Sequence, residues 1–329
     1  MSLGYNRICE FEDFSEPDIL DVTRDVFQHE IKHFTPAFPK GAEYRKYWEI
    51  AMSVRALRDH GALRPDAVLL GVGAGTEVTL FYLTNHARQV FATDLYLDSG
   101  VWGKYAPGFM LIEPERVAPY PFERQRLVVQ HMDGRRLEYP DDTFDGIFSS
   151  GSIEHFGDFT DVAHAAYEMG RVLKPGGVAT LSTEYLLRGR RNGSGWNGLR
   201  FFSRENLLRY VVEASGLELV DELDTRVSPE TMKSAYKSST FARDLRKQAS
   251  RQGKYPRVGE VVWSRYPHLV LTHRGYVFCS VHLTLRKGAG YATAQNGWAR
   301  PARDGSIQDR AAAGPRLRLP AVIARLRGS

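Results

Sequence analysis

Three glycines stand at the end of the first strongly apolar segment of the chain. Gly71, Gly73 and Gly75 precede a segment with helical periodicity, and glycine at a strand-to-helix turn lets the backbone approach a ligand closely. The spacing departs from the dinucleotide fingerprint G-x-G-x-x-G, because Thr76 or Val78 stands where its last glycine belongs. The glycines therefore predict a close backbone approach, and a tight turn without any ligand is the alternative.

Polar side chains end the next three apolar segments. Asp94 ends the second, about 20 residues after the glycines, where a carboxylate can accept the ribose hydroxyls of a nucleoside. Asp133 ends the third, directly after Met132, and Ser150 ends the fourth. Because the carboxyl ends of parallel strands meet at one edge of a sheet, we expect a ligand site at that edge.

Two residues at the same predicted edge could remove a proton. His155 follows the fourth apolar segment and Glu184 follows the fifth, and a neutral histidine is a suitable general base near pH 7. The alternatives are that His155 starts a helix and lines a pocket, and that Glu184 is a solvated strand end. His131, His155 and His164 lack the spacing of metal ligands, so we expect no metal site.

The sequence resembles the class I S-adenosylmethionine-dependent methyltransferases. Four features carry the resemblance, in the family's order: the glycine turn, Asp94, Asp133 and the Leu-Lys-Pro-Gly-Gly turn at 173–177. The likeness covers about 67–285 and is strongest to the type-11 group, which includes the ubiquinone and menaquinone methyltransferases. It implies a methyltransferase with S-adenosylmethionine as its cofactor. The cofactor-binding residues that it implies are Gly71, Gly73, Gly75, Glu77, Asp94, Leu95, Met132, Asp133 and Ser150.

One departure from the family pattern concerns the glycine turn. The family usually has Asp or Glu at the position of Gly71 and often Gly at that of Glu77, and here the two are exchanged. Glu77 could replace the missing acid near the cofactor's amino group. The alternative is an ordinary residue in the first turn of a helix.

These residues need a parallel sheet to bring them together. Short apolar segments alternate with helical ones from residue 67 onward, which is typical of βαβ units. The resemblance implies an α/β, Rossmann-like, seven-stranded sheet of order 3-2-1-4-5-7-6, with helices on both faces and the last strand antiparallel. The predicted strands are 67–72, 89–94, 127–133, 144–150, 178–183, 217–223 and 277–285, with helices at 17–34, 42–60, 77–84, 161–173 and 204–215.

The pattern divides the chain into three parts. Residues 1–63 are predicted to form a helical lid, in which an aromatic stripe (Tyr44, Tyr47 and Trp48) would line the site or belong to the core. Residues 64–287 would form the methyltransferase domain. Its insertion at 224–268 has ten basic residues against four acidic, a surface that could attract an anionic acceptor or simply be solvated. Residues 288–329, rich in Ala, Gly, Arg and Pro, are predicted to be disordered.

Composition narrows the function classes. Only two cysteines, Cys9 and Cys279, are present, which argues against a disulfide framework and favours a reducing cytosol. No segment reaches the roughly 18 apolar residues of a membrane span. The arginine-rich end, 316–327, could contact a membrane surface weakly. The oligomeric state cannot be inferred.

The acceptor class follows from missing motifs. After the fourth strand there is no Asn/Asp-Pro-Pro-Tyr/Phe, which nucleic-acid amino-methylating enzymes of this fold use, and no cysteine for covalent pyrimidine chemistry. The favoured function is O-methylation of a small-molecule or saccharide acceptor, possibly anionic. The saccharide is suggested by a likeness of three short motifs to methyltransferases of bacterial glycan assembly. An RNA methyltransferase using the basic insertion, or a non-catalytic cofactor-binding scaffold, are the alternatives.

Overall fold

The computed structural model describes residues 3–31, 43–98, 100–189, 199–237 and 268–291, together with residues 240, 243 and 247. The predicted disordered tail and its membrane-contacting end lie almost wholly outside these residues, as does most of the basic insertion. Within the described residues, no helix combines the length and the apolarity that crossing a bilayer requires.

Among the described residues, a ten-stranded mixed sheet forms the central element. Its main path runs β4-β3-β2-β5-β6-β10-β9-β8, and β1 and β7 both pair with β10. The five strands from β4 to β6 are parallel, and β10 is antiparallel to β6. The strands are β1 Arg7–Ile8, β2 Val68–Val72, β3 Gln89–Asp94, β4 Leu127–His131, β5 Phe144–Ser150, β6 Leu173–Arg188, β7 Glu218–Leu219, β8 Tyr236–Lys237, β9 Val270–His273 and β10 Tyr276–Arg286.

The predicted α/β class is confirmed. The predicted strands are present in the expected order, and further strands are added to them. The parallel core and the antiparallel β10 follow the expected order, and the central strands β2 and β5 are buried along their whole length, as is typical of parallel sheets. The predicted sixth strand, 217–223, is reduced to the two residues of β7, which pair with Leu285 and Arg286 of β10. Strands β1, β8 and β9 were not expected from the sequence.

Helices cover both the start of the chain and the crossovers between strands. The predicted first helix, 17–34, is divided at Phe27, where the backbone leaves helical geometry (φ −101°, ψ 27°). The helix predicted at 204–215 begins at Ser203, whose side chain accepts a hydrogen bond from Asn206 N–H. The helices are α1 Pro17–Val26, α2 Gln28–Ile31, α3 Arg45–Asp59, α4 Val78–Thr84, α5 Phe159–Val172, α6 Arg204–Leu207, continued by a π-helical stretch Leu208–Glu213, and α7 Pro229–Lys233.

Helix α3 packs against the sheet, and most of its residues are buried. Its aromatic residues divide between two environments. Trp48 is fully buried and donates its indole N–H to Asp13 (2.8 Å), and Tyr47 is also buried. Tyr44, just before the helix, is half-buried, with its ring 5.4 Å from that of His268. The aromatic stripe is therefore mostly core, and Tyr44 alone lies at its edge.

The insertion at 95–126 folds as a series of short 3₁₀ turns. Tyr96, Ala106 and Met110 within it are buried in the core. The Tyr96 hydroxyl donates to the Gly75 carbonyl (2.9 Å). The insertion therefore supports the glycine turn directly.

Candidate active site

The glycine turn joins β2 to α4 in a conformation that favours glycine at two positions. Gly73 and Gly75 have φ values of +64° and +47°, in the left-handed region that other residues rarely adopt. A Cβ on Gly73 would lie 2.6 Å from the Cβ of Ser152, and one on Gly75 would lie 2.8 Å from the Tyr105 carbonyl oxygen. The turn is therefore held between the insertion and the segment after β5.

Gly71 is required for a different reason. A Cβ on Gly71 would lie 2.6 Å from Cζ of Phe148 and 2.9 Å from the Cβ of Ala74. Phe148 on β5 is fully buried, so its ring fills the space beside β2. This packing explains why the acid that the family usually has at this position is absent here.

Asp94 connects the end of β3 to the glycine turn. Its carboxylate accepts hydrogen bonds from Gly75 N–H (2.8 Å) and Leu95 N–H (2.7 Å). Burial raises the pKa of Asp94, and these two hydrogen bonds oppose that rise. Asp94 and Leu95 therefore lie beside the turn.

Met132 and Asp133 lie next to Asp94, at the end of β4. Met132 N–H donates to the Asp94 carbonyl (3.0 Å). Asp133 is held by Arg135, whose guanidinium reaches both carboxylate oxygens at 2.6–3.1 Å, while Arg135 also contacts Asp161 (3.3 Å). The carboxylate of Asp133 is thus fixed by an ion pair that the sequence analysis did not anticipate.

Two polar side chains at this edge have buried atoms without hydrogen-bond partners. Glu77 is the residue just before α4, and its Oε2 is buried with no partner within the described part of the chain. Burial raises the pKa of Glu77 to about 7, against the opposing effect of the Lys46 ammonium. The buried hydroxyl of Ser150, at the end of β5, has no partner among those residues either. Buried polar groups of this kind are usually hydrogen-bonded, so both atoms suit a polar ligand.

His155 ends a short 3₁₀ turn after β5 and is half-buried. Its ring packs edge-on against Trp102 of the insertion, with centroids 4.8 Å apart, and its backbone N–H donates to the Ser152 carbonyl (2.9 Å). Burial, assisted by the nearby Lys46 charge, lowers the pKa of His155 to about 4. The imidazole is therefore neutral at pH 7, and it follows by three residues Ser152, whose hydroxyl donates to the Gly73 carbonyl of the glycine turn (2.7 Å).

Glu184 lies on β6 and is occupied by an ion pair. Arg45 Nη1 contacts its Oε2 at 2.5 Å and also donates to the Ser280 hydroxyl (3.2 Å). Beside it, Glu154 is buried and accepts a hydrogen bond from Thr183 Oγ1 (2.9 Å). Burial and then repulsion by Glu184 raise the pKa of Glu154. The predicted base Glu184 is thus engaged by a guanidinium, while its neighbour tends to stay protonated.

The start of α3 contributes charged residues that the sequence analysis missed. Lys46 Nζ contacts Glu49 Oε2 at 2.5 Å and the Ser150 carbonyl at 3.4 Å, and Glu49 also accepts from the Ser280 hydroxyl. Burial alone would raise the pKa of Glu49, but Lys46 and Arg45 lower it. A signal was available: Arg45, Lys46 and Glu49 are charged residues on an otherwise core-facing helix. Within the described residues, no three His, Cys, Asp or Glu side chains are grouped as metal ligands would be.

Comparison with protein families gives a match to one model, described as a methyltransferase domain, over residues 70–181. That range includes the glycine turn, Asp94, Met132, Asp133 and His155. The chain carries a class I S-adenosylmethionine-dependent methyltransferase domain of the type-11 group. The family resemblance and the cofactor expected for this methyltransferase are thereby confirmed.

Several solved structures resemble the methyltransferase. The [4+2]-cyclase SpnF is 20% identical, with 87% of this chain and 100% of that chain covered and a TM-score of 0.48. A geranyl diphosphate C-methyltransferase from Streptomyces coelicolor A3(2) is 15% identical, with 83% and 99% covered and a TM-score of 0.43. No curated protein matches the chain. At these scores the structural similarities are weak.

The residues of the methyltransferase fit its cofactor. Its glycine turn leaves no room for side chains at Gly73 and Gly75, and Asp94 retains acceptor capacity beside that turn. The buried oxygens of Glu77 and Ser150 lack partners among the residues that the structure describes. When bound, S-adenosylmethionine supplies an electrophilic methyl group on a sulfonium. The chain's own residues must bind it, orient the acceptor and accept the acceptor's proton.

Proposed function

We propose that this methyltransferase transfers a methyl group to an oxygen atom of a small-molecule acceptor, such as a saccharide hydroxyl. The observation that carries the proposal is the neutral, half-buried imidazole of His155, three residues after Ser152, whose hydroxyl donates to the Gly73 carbonyl of the glycine turn (2.7 Å). A hydroxyl acceptor must lose its proton during transfer, and a neutral imidazole can accept it.

The low pKa of His155 indicates when that proton moves. An imidazole with a pKa of about 4 is too weak a base to remove a proton from a free alcohol beforehand. The hydroxyl proton becomes strongly acidic only as the new carbon–oxygen bond forms and positive charge develops on the oxygen. We therefore place proton transfer to His155 late, together with or after methyl transfer. The products are the methyl ether, S-adenosylhomocysteine and a transiently protonated His155.

Glu184 is the less suitable base of the two predicted residues. Its carboxylate already accepts from Arg45 at 2.5 Å, so taking a proton would weaken an ion pair that is mostly buried. We propose that Glu184 instead positions Arg45, and with it the start of α3.

The N-terminal part, 1–63, serves in this proposal as the lid over a methyltransferase domain at 64–287. Arg45 and Lys46 support it, since both connect α3 to the ends of β6 and β5. An anionic acceptor would suit the basic insertion. The buried free thiols of Cys9 and Cys279 are compatible with action in the cytosol.

The test is a survey of methyl acceptors with S-adenosylhomocysteine release as the readout. Hydroxylated metabolites and saccharides are compared with amines and with RNA. Turnover on a hydroxyl, with the product confirmed as a methyl ether by mass spectrometry, is the expected result. Exclusive methylation of an amine, a carbon atom or RNA would overturn the proposal.

With an acceptor identified, His155→Ala tests the base. We expect turnover to fall by about 10²-fold or more, the usual contribution of a general base, while S-adenosylhomocysteine still binds. His86→Ala is the matched control, because His86 is an exposed histidine whose ring packs on Tyr82. Because His155 is neutral well above its pKa, wild-type turnover should show no His155-dependent change between pH 6 and 9 and should fall toward pH 4. Unchanged turnover in His155→Ala would remove His155 from the mechanism.

A further inference from the structure

One charged cluster at the carboxyl edge of the sheet has not yet been matched to a particular part of a ligand. It consists of Lys46 and Glu49 from α3, Glu77 at the end of the glycine turn, and Ser150 at the end of β5. We refer to these four residues as the lid cluster. Its members come from three separate parts of the chain. Lys46 contacts both Glu49 and the Ser150 carbonyl, and Glu77 follows the turn after β2.

Lys46 is the only cation in the lid cluster, and it lies between carboxylates. Its Nζ contacts Glu49 Oε2 at 2.5 Å and the Ser150 carbonyl at 3.4 Å. Burial alone would lower the pKa of Lys46, but Glu49 and then Glu77 raise it, which places Glu77 within electrostatic reach. The side chain keeps about a third of its surface exposed (34%). Its ammonium, with three donors, can therefore still reach a ligand.

Two members of the lid cluster have buried polar atoms without a hydrogen-bond partner among the described residues. Ser150 is only 6% exposed, and its hydroxyl has no hydrogen-bond partner among the described residues. The same is true of Glu77 Oε2. A lone acceptor and an unpaired hydroxyl beside an ammonium form a receptor for a group that carries both charges, since leaving such atoms buried and unsatisfied is costly.

We infer that the lid cluster binds the amino-acid end of the cofactor, with Lys46 taking the carboxylate and Glu77 the ammonium. Ser150 donates its hydroxyl to the same carboxylate, and Glu49 holds Lys46 in place. The exchange of glycine and acid between positions 71 and 77 then moves the ammonium-binding carboxylate from one end of the turn to the other. Phe148 excludes an acid from position 71, and Glu77 presents one from the other end of the turn.

This assignment makes the N-terminal segment part of the cofactor site. Lys46 stands on the same helix as Arg45, which is fixed to β6 through Glu184. Helix α3 is therefore already in position before the cofactor arrives, so binding need not order it.

Calorimetric titration with three ligands tests the assignment. S-adenosylhomocysteine has the complete amino-acid end, its decarboxylated analogue retains only the ammonium, and 5′-methylthioadenosine has neither charge. Lys46→Met keeps the aliphatic stem and removes the charge. It should weaken S-adenosylhomocysteine binding about 10- to 100-fold, the range for a charged hydrogen bond. Binding of the other two ligands should change by no more than about twofold.

Further variants separate direct contact from a structural effect. Lys46→Arg should restore most of the affinity for S-adenosylhomocysteine. Glu77→Gln should weaken both ligands that carry the ammonium and leave 5′-methylthioadenosine unchanged. Arg58→Met, a charge removal at the exposed end of the same helix, is the matched control and should change none of the three affinities.

The outcomes are distinguishable. Equal weakening of all three ligands by Lys46→Met would mean that Lys46 only supports the fold, and unchanged binding of S-adenosylhomocysteine would mean that it makes no contact. Either result overturns the assignment. Failure of the wild-type protein to bind S-adenosylhomocysteine would overturn the cofactor itself.

Discussion

Replacing Gly71 with alanine tests how the glycine turn is packed. The added Cβ would lie 2.6 Å from Cζ of Phe148 and 2.9 Å from the Cβ of Ala74. Carbon atoms in favourable contact are about 3.5–4.0 Å apart, so the overlap with the ring is about 1 Å. Phe148 is fully buried and cannot move into solvent. Overpacking of this size lowers the free energy of unfolding by about 1–3 kcal/mol, and equilibrium unfolding in urea measures it.

A second variant tests whether the Phe148 ring causes the loss of stability. If it does, Phe148→Leu should relieve part of the loss caused by Gly71→Ala. The loss in the double variant should then be smaller than the sum of the two single losses by about 1–2 kcal/mol. Gly290→Ala is the control, because Gly290 is exposed and an added Cβ would have no neighbour within 4 Å. Additive losses, or a Gly71→Ala protein as stable as the wild type, would refute the reasoning.

Three further predictions concern buried charges. Arg45→Met should lower the free energy of unfolding by about 3 kcal/mol because it leaves the Glu184 carboxylate buried without its partner. The double variant with Glu184→Gln should recover part of this loss in urea unfolding, and no recovery would argue against the ion pair. Because the pKa of Glu154 is raised in the folded protein, its stabilising contribution is present below about pH 4.5 and is lost as the pH rises. Glu154→Gln should therefore gain stability relative to the wild type in melts at increasing pH, and a pH-independent difference would contradict this. Asp94→Asn replaces one of two acceptor oxygens with a donor facing an N–H group, so both the melting temperature and S-adenosylhomocysteine affinity should fall; unchanged affinity would show that Asp94 only supports the turn.

The parallel core of the sheet could be predicted because its signal is local. Four of its five strands are short, largely apolar runs that end in a turn, and the predicted strand 178–183 lies within the longer β6. The glycine turn and the position of Asp94 follow from that arrangement. Strands β1, β7 and β8 are two residues long, too short to show an alternation. Strand β9 has a sequence signal, because Gly275 stands between two apolar runs. In the structure, Arg274 and Gly275 have positive φ values and form a tight turn into β10.

The charged contacts of the site could not be predicted, because they join residues far apart in sequence. Arg45 and Glu184 are 139 positions apart, and Glu49 and Ser280 are 231 apart. Periodicity shows which residues share a helix face but does not show which partner that face meets. The same limit applies to Gly71: the sequence showed the missing acid, and only the position of the Phe148 ring explains it.

Strand β10 has a consequence for how the protein is made. Residues 7 and 8 pair with residues 282 and 281, the Asn6 side chain accepts from Thr284 N–H (2.7 Å), and Ser280 donates to Glu49 on α3. Translation produces residues 6–8 long before residues 276–286. Residues 6–8 therefore cannot pair with β10 until that strand has been synthesised. Until then the backbone of Arg7 and Ile8 and the Asn6 side chain lack these partners, so this part of the sheet can be completed only after β10 has been made.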